Sequence, residues 1–313
     1  MKIFIELPTW LGDTVMCTGA ISNIVKNYPN STIVLFGSFV SIQVLKNLPN
    51  LDKVVIDNSK KGGNRYINLV KIAKNLGYFD IAISFRRTFS SKFLLFFIKS
   101  NQKYSYKRYT KKHIHQVVRY DDFINRSLNI KNDNLKLVLY SKAHIYKKKT
   151  LGLNPGSTYG SAKRWYAKEF AQSAIFLSKY YDIVIFGSSN EKKIANDICS
   201  ILDENLVKNY SNEVGKTTIS ELISKIAGLD LFITNDSGSM HIAAAYKIKS
   251  VCIFGPTNYI ETCQFDNENS IILTKNLSCA PCMKRVCPLI HHNCMKQITS
   301  NDLLKALGYE NVK

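Results

Sequence analysis

The chain has 313 residues, 45% of them apolar, which is enough for one large or two medium domains with real cores and too much for a disordered polypeptide. Forty-three Lys and Arg stand against 23 Asp and Glu, a formal charge of +20 that favours anionic partners without choosing among nucleic acid, anionic lipid and phosphorylated substrates. No apolar run reaches the roughly 18–20 residues of a membrane span, and the opening MKIFIELP, with its acid at Glu6, does not read as a secretory signal.

Residues 2–6 read as a strand, and residues 14–28 as an amphipathic helix ended by Pro29. Between them lies LPTWLGDTVM, in which Gly12 permits a tight turn. Asp13 suits two roles there, a helix N-cap or a general base whose carboxylate form the helix start favours. Strands are predicted at 32–36, 53–57 and 80–84, with a helix over 66–76 stopped by Gly77. The six apolar residues 93–98, between Lys92 and Lys99, fit a core helix or a patch that touches a membrane surface. A basic and aromatic run follows over 99–120, with Lys107, Arg108, Lys111 and Lys112 among its cations and Tyr104, Tyr106 and Tyr109 between them. Such a run suits single-stranded nucleic acid or a phosphorylated glycolipid at an anionic membrane face. Arg86 and Arg87 add charge just past the 80–84 strand.

The Lys-rich stretch 141–150 reads as a linker, after which the pattern restarts. Strands are predicted at 151–154, 182–186, 231–234 and 250–254, and helices at 167–180, 219–227, 240–246 and 301–307. Short apolar strands alternating with helical periods imply α/β domains with parallel, doubly wound sheets, whose ligands bind past the carboxyl ends of the strands. We expect domains at 1–145 and 146–313, with the last helix leading back toward the first. In LNPGSTYGSAKRW, Ser157 and Thr158 offer hydroxyls, Gly160 lets backbone approach closely, and Lys163 supplies charge. That is what a phosphate cradle needs, though the Walker pattern is absent. In TNDSGSMHIAAA, the helix start around Asp236, Ser237, Gly238, Met240 and His241 is a ready anion site, or a capped helix and nothing more.

Taken together, LPTWLGDTVM, NPGSTYGSAKRW, TNDSGSMHIAAA with FGPTN, and CAPCMKRVCPLIHHNCM resemble, in order and over nearly the whole chain, the bacterial heptosyltransferases of glycosyltransferase family 9. The cysteine-rich run resembles the tail of the heptosyltransferase II branch. The resemblance implies a GT-B architecture, two Rossmann-like domains facing across a cleft, with the acceptor on the first and ADP-heptose on the second. It implies inverting transfer of L-glycero-D-manno-heptose to the first heptose of heptosyl-Kdo-lipid A. Asp13 would be the catalytic base. Ser157, Thr158, Lys163, Asp236, Ser237, Gly238, Met240 and His241 would hold the donor, several through the backbone.

No cofactor is required by that chemistry. The basic residues Arg86, Arg87, Lys107, Arg108, Lys111 and Lys112 are the expected grip on the anionic acceptor, and the expected location is cytoplasmic, peripheral at the inner face of the inner membrane. Thr14 and Tyr166 stand where the family commonly has Pro. Two rivals remain at this point. One is a GT-B transferase or epimerase acting on another nucleotide-sugar, although an epimerase needs a second acid/base partner for His241 that is not evident. The other is a zinc-containing nucleic-acid-binding protein; no nucleic acid is expected if the four motifs are read together. Cys279, Cys282, Cys287, Cys294 and His292 have a spacing that permits a structural zinc, against reduced thiols or a local disulfide.

Overall fold

The computed structural model describes residues 1–109 and 113–309. The chain divides into two compact units, Met1–Tyr140 and Ser141–Lys313. Among the described residues no helix is long and apolar enough to cross a membrane.

The first unit runs β1 (Lys2–Glu6), α1 (Leu11–Met16), α2 (Thr18–Asn27), β2 (Thr32–Gly37), α3 (Phe39–Val44), β3 (Leu51–Ile56), α4 (Arg65–Asn75), β4 (Tyr78–Ser84), α5 (Phe89–Phe97), β5 (Lys99–Ser105) and α6 (Gln116–Leu128). Its five strands are all parallel in the order β3-β2-β1-β4-β5. The direction of winding reverses between β1 and β4, so the loops after those two strands flank the switch point where such sheets take ligands. Phe4, Val34, Phe36, Phe79 and Ala82 pack one face of the sheet against α4 and α5.

The helix expected over 14–28 is two helices. Cys17 joins them with φ −89° and ψ −3°. Thr18 Oγ1 donates to the Val15 carbonyl at 2.7 Å, and side-chain back-bonding of this kind competes with the helical ladder. The basic run 99–120 is not one feature either. Its first residues form the edge strand β5 and its last ones begin α6. Lys111 and Lys112 lie outside the described residues.

The second unit runs β6 (Thr150–Asn154), α7 (Ala167–Leu177), β7 (Asp182–Ile185), α8 (Lys192–Glu204), β8 (Tyr210–Asn212), α9 (Ile219–Ala227), β9 (Leu231–Asn235), α10 (Gly238–Ala245), β10 (Ser250–Ile253), α11 (Tyr259–Thr262), β11 (Ser270–Leu273), α12 (Asn293–Lys296) and α13 (Ser300–Ala306). The six parallel strands are ordered β11-β10-β9-β6-β7-β8, with the switch point between β6 and β9. Strands β6 and β9 are buried throughout, as parallel central strands must be. Helix α13, for which a path back to the first unit is expected, places Leu303 and Leu304 in the core of the second beside Phe170 and Ala174 of α7.

Candidate active site

Loops at two switch points carry the residues singled out above. In the first unit, the loop after β1 is tied down by its own carbonyls. Ser41 Oγ and Thr14 Oγ1 donate to Pro8 O (2.5 and 3.3 Å), and Ser38 Oγ donates to Thr9 O (2.9 Å). Trp10 takes the N-cap position of α1, without a side-chain cap bond, and Asp13 stands in the first helical turn. The N-cap role is therefore not the one Asp13 fills. Its carboxylate is half-buried, and its charge is felt by two buried neighbours. Burial first, and Asp13 second, push the Cys17 thiol and the Tyr120 phenol well above their ordinary ranges.

Across the same switch point, Glu6 is buried at the end of β1. It accepts from Ser84 Oγ (2.6 Å), Ser91 Oγ (2.8 Å) and Arg86 Nη1 (3.2 Å). Burial pushes the Glu6 carboxyl up, against the opposing pull of Arg86. Arg86 also lies 3.9 Å from Asp57, so its charge is engaged inside the unit, whereas Arg87, Lys107 and Arg108 are exposed. Tyr106, one of the tyrosines in the basic run, packs against Tyr120 and Phe123 at ring distances of 5.0 and 5.4 Å.

In the second unit the loop after β6 is stapled at both ends by one side chain. Asn235, at the end of β9, donates from Nδ2 to Pro155 O (2.7 Å) and accepts at Oδ1 from the Trp165 amide (3.0 Å). Arg164 closes the loop from inside, donating from Nε and Nη2 to Ser157 O at 3.3 and 3.2 Å. Buried Trp165 anchors its far end by donating Nε1–H to Ile298 O at 2.8 Å.

Lys163, in a 3-10 turn of this loop, meets Asp236 across the switch point with Nζ 2.5 Å from Oδ2. The side chains are 13% and 5% exposed, so this is a buried ion pair. Thr257 Oγ1, past the end of β10, donates to the same Asp236 oxygen at 2.6 Å. Lys163 Nζ also lies 4.6 Å from the centre of the Tyr159 ring. Beside the pair, Ser237 takes the N-cap position of α10 without a side-chain cap bond, and its hydroxyl joins Asn154 Nδ2 (3.3 Å), Thr234 Oγ1 (3.2 Å) and Ser239 Oγ (2.8 Å). The first amides of α10, from Gly238 onward, thus start at the same strand ends as Lys163. Ser157 and His241 are buried, and Thr158 is exposed. The Met240 side chain belongs to a small core cluster with Cys252 and Phe254.

The cysteine-rich segment closes over this loop. Arg285 O accepts from the Ala162 amide (3.1 Å), Met283 O accepts from Tyr159 Oη (2.8 Å), and the Arg285 guanidinium lies 5.2 Å from the Tyr159 ring centre. None of its four cysteines is in a disulfide. Among the described residues no group of three or more His, Cys, Asp or Glu side chains is arranged to hold a metal. The zinc allowed by spacing is not supported by this arrangement. His292 uses Nε2 on Ala162 O (2.8 Å) and Nδ1 on Tyr166 Oη (3.1 Å), and Cys294 is turned into the core. Burial, then the neighbouring Cys287, Cys279 and Cys282, push the Cys294 thiol up to about 11.

Gly160 shows how tightly this clasp fits, because a Cβ there would overlap the Arg285 carbonyl oxygen. Gly160→Ala should cost about 1–3 kcal/mol of stability, the usual range for overpacking, and should weaken binding of ADP. Thermal melting with and without ADP checks both, and an unchanged midpoint would count against the clasp.

Sequence reasoning missed Asn235, Thr257, Tyr159 and Arg285. The signal for Asn235 is present, since a polar side chain at the end of an apolar strand needs a partner. For the other three there was none beyond proximity to the motifs.

Two doubly wound parallel α/β units, the second with a largely buried lysine and a helix start at its switch point, have the architecture of GT-B glycosyltransferases. The chain belongs to glycosyltransferase family 9, the heptosyltransferase family, whose model matches residues 115–292. It is 44% identical, over 97% of each chain, to the lipooligosaccharide heptosyltransferase 2 of Campylobacter jejuni. Its fold matches the solved ADP-heptose LPS heptosyltransferase II of Escherichia coli with a TM-score of 0.79, at 20% identity and 98% coverage of both chains. It matches a family 9 glycosyltransferase from Veillonella parvula at 0.82, with 21% identity and coverage of 98% of this chain and 96% of that one.

Proposed function

We propose that this glycosyltransferase moves L-glycero-D-manno-heptose from ADP-heptose to the first heptose of heptosyl-Kdo-lipid A, with inversion, in building the lipopolysaccharide inner core. The observation that carries the donor half is the buried Lys163–Asp236 pair, backed by Thr257 and set at the start of α10. A fixed ammonium beside helix amides is an electrostatic seat for a diphosphate. The acceptor half rests on the likeness to relatives named heptosyltransferase 2.

In the reaction, the acceptor hydroxyl oxygen attacks the anomeric carbon and its proton passes to the Asp13 carboxylate. The bond from that carbon to the diphosphate oxygen breaks, and its electron pair leaves with ADP. One displacement inverts the anomeric configuration. Lys163, with the amides of Gly238 to His241, receives the charge that grows on the leaving group, so the scheme requires no metal or other cofactor. Ser157 and Thr158 complete the donor loop. A carboxylate repels a phosphate, so Asp236 is best read as the positioning residue that aims Lys163. Arg285, sharing the Tyr159 ring with Lys163, adds a second cation to the same loop.

Arg87, Lys107 and Arg108 are the exposed cations left to meet the phosphates and carboxylates of the acceptor at an anionic membrane on the cytoplasmic side. Arg86, also expected to grip the acceptor, is engaged with Glu6 and Asp57. The test is transfer from ADP-heptose to defined truncated lipopolysaccharide acceptors, read by mass spectrometry, at low and high salt. Transfer to the singly heptosylated acceptor is expected, and raised salt should weaken acceptor use more than ADP-heptose binding. Turnover of ADP-heptose only in the absence of acceptor, or equal salt sensitivity of both substrates, would overturn the corresponding half of the reading.

A further inference from the structure

Helix α5 is apolar on two faces, and the molecule uses one of them. Ser90, Ser91, Leu94 and Leu95 are buried, the two leucines in the core of the first unit. Phe89, Phe93, Phe96 and Phe97 recur at i, i+4, i+7 and i+8, on one side of the helix; Phe93 is half-buried and also packs against that core, while the other three are exposed. Their rings touch in series, Phe93 to Phe97 at 4.9 Å and Phe96 to Phe97 at 5.2 Å. Tyr66 of α4 extends the row, 5.8 Å from Phe89 and 5.0 Å from Phe93, with exposed Ile67 next to it in sequence. Phe89 is 70% exposed and Phe96 74%. A continuous aromatic ridge of this size, left in water, marks a surface that something covers.

The charge around the ridge says what. From residue 58 to residue 120 the chain has fifteen Lys and Arg and one acid, Asp80, and that acid accepts a hydrogen bond from the Lys2 amide. Lys92 is exposed on α5 itself, and Lys99 and Lys103 are exposed on the adjoining edge strand β5. Lys103 donates to the Phe96 carbonyl at 2.7 Å and holds its ammonium 6.0 Å from the Phe96 ring. A second copy of the same face would bring like charges together. Aromatic rings flanked by lysines suit instead the boundary of an anionic bilayer, where rings lie at headgroup depth and ammonium groups meet lipid phosphates. The ridge also starts at a useful place. Ser91 of α5 bonds Glu6 at the end of β1, so Phe89 stands at the same end of the sheet as the Asp13 loop.

We infer that the outer face of α5, with Tyr66 and Ile67 of α4, is the surface by which this protein docks on an anionic lipid bilayer. The inference deepens the proposed reading, on which it rests for a lipid-anchored acceptor, and it can be tested without turnover. The full chain is floated with vesicles of mixed phosphatidylglycerol and phosphatidylcholine, and with vesicles of phosphatidylcholine alone. Wild type should bind the anionic vesicles, in a salt-sensitive way, and the Phe89→Ser/Phe96→Ser variant should lose on the order of tenfold or more of that binding. ADP binding by the variant should stay as in wild type, which shows that the fold and donor loop are intact.

Equal binding of variant and wild type to anionic vesicles would overturn the inference. So would equal binding of wild type to both vesicle types, or a wild-type dimer that the double substitution dissociates. Heptose transfer to a detergent-dispersed acceptor is measured alongside. Its absence in wild type would sink the functional reading and leave the docking result standing on its own.

Discussion

Asp13→Ala should lose at least about 10²–10⁴-fold in turnover, the usual worth of a general base, while binding ADP as wild type does. The expectation follows from where the residue stands. Trp10 takes the N-cap of α1, so Asp13 has no capping duty whose loss would unfold the helix. The loop before it is held by Ser38, Ser41 and Thr14 through main-chain carbonyls, and none of those bonds involves the Asp13 side chain. Alanine is a strong helix former, so the first turn of α1 should stay helical in the variant. Single-turnover transfer and calorimetric titration with ADP separate the two effects. Near-normal turnover would remove Asp13 from the chemistry, and lost ADP binding would make its role structural.

Lys163→Met should show two losses that a second substitution can pull apart. The lysine is one half of a buried pair, and breaking such a pair by removing one partner costs about 3–5 kcal/mol, because the other charge is left behind. It is also the proposed acceptor of leaving-group charge, and deleting one such donor costs on the order of 10²–10³ in rate. Lys163→Met with Asp236→Asn removes the stranded carboxylate while Thr257 can still bond the amide oxygen. Melting and transfer rates are measured on both variants. The double variant should recover most of the stability and little of the turnover. Recovery of turnover as well would mean that Lys163 serves only to neutralise Asp236.

Central strands of both sheets are legible in the sequence because full burial favours short apolar runs: Ile3-Phe4-Ile5 in the first sheet and Leu231-Phe232-Ile233 in the second have that form. The donor loop is legible for a similar reason, since Pro, Gly and hydroxyl residues followed by a lysine after such a strand have few other uses. The pairing of Lys163 with Asp236 is not legible, because both were expected at the donor, yet nothing local tells a lysine which carboxylate 73 residues away will face it.

Strand β5 is hidden for the opposite reason to β6. As an edge strand with exposed Lys99, Asn101 and Lys103 it has no buried face to betray it, and its charges invite a binding interpretation. Helix α8 carries a readable signal in Ala195, Ile198 and Leu202 behind the Ser188–Glu191 capping box, and the sequence reading passes over it.

The bond from Tyr159 to the Met283 carbonyl spans 124 residues of chain. During synthesis at roughly 5–20 residues per second, the donor loop emerges several seconds before the segment that clasps it. Strands β9 and β10 can join the sheet in that interval, bringing Asn235 and Thr257, but Ala162 and Tyr159 still lack their partners. Until that segment emerges, the loop after β6 lacks the Tyr159 and Ala162 contacts that fasten it in the finished chain, and on the proposed reading its nucleotide seat is incomplete.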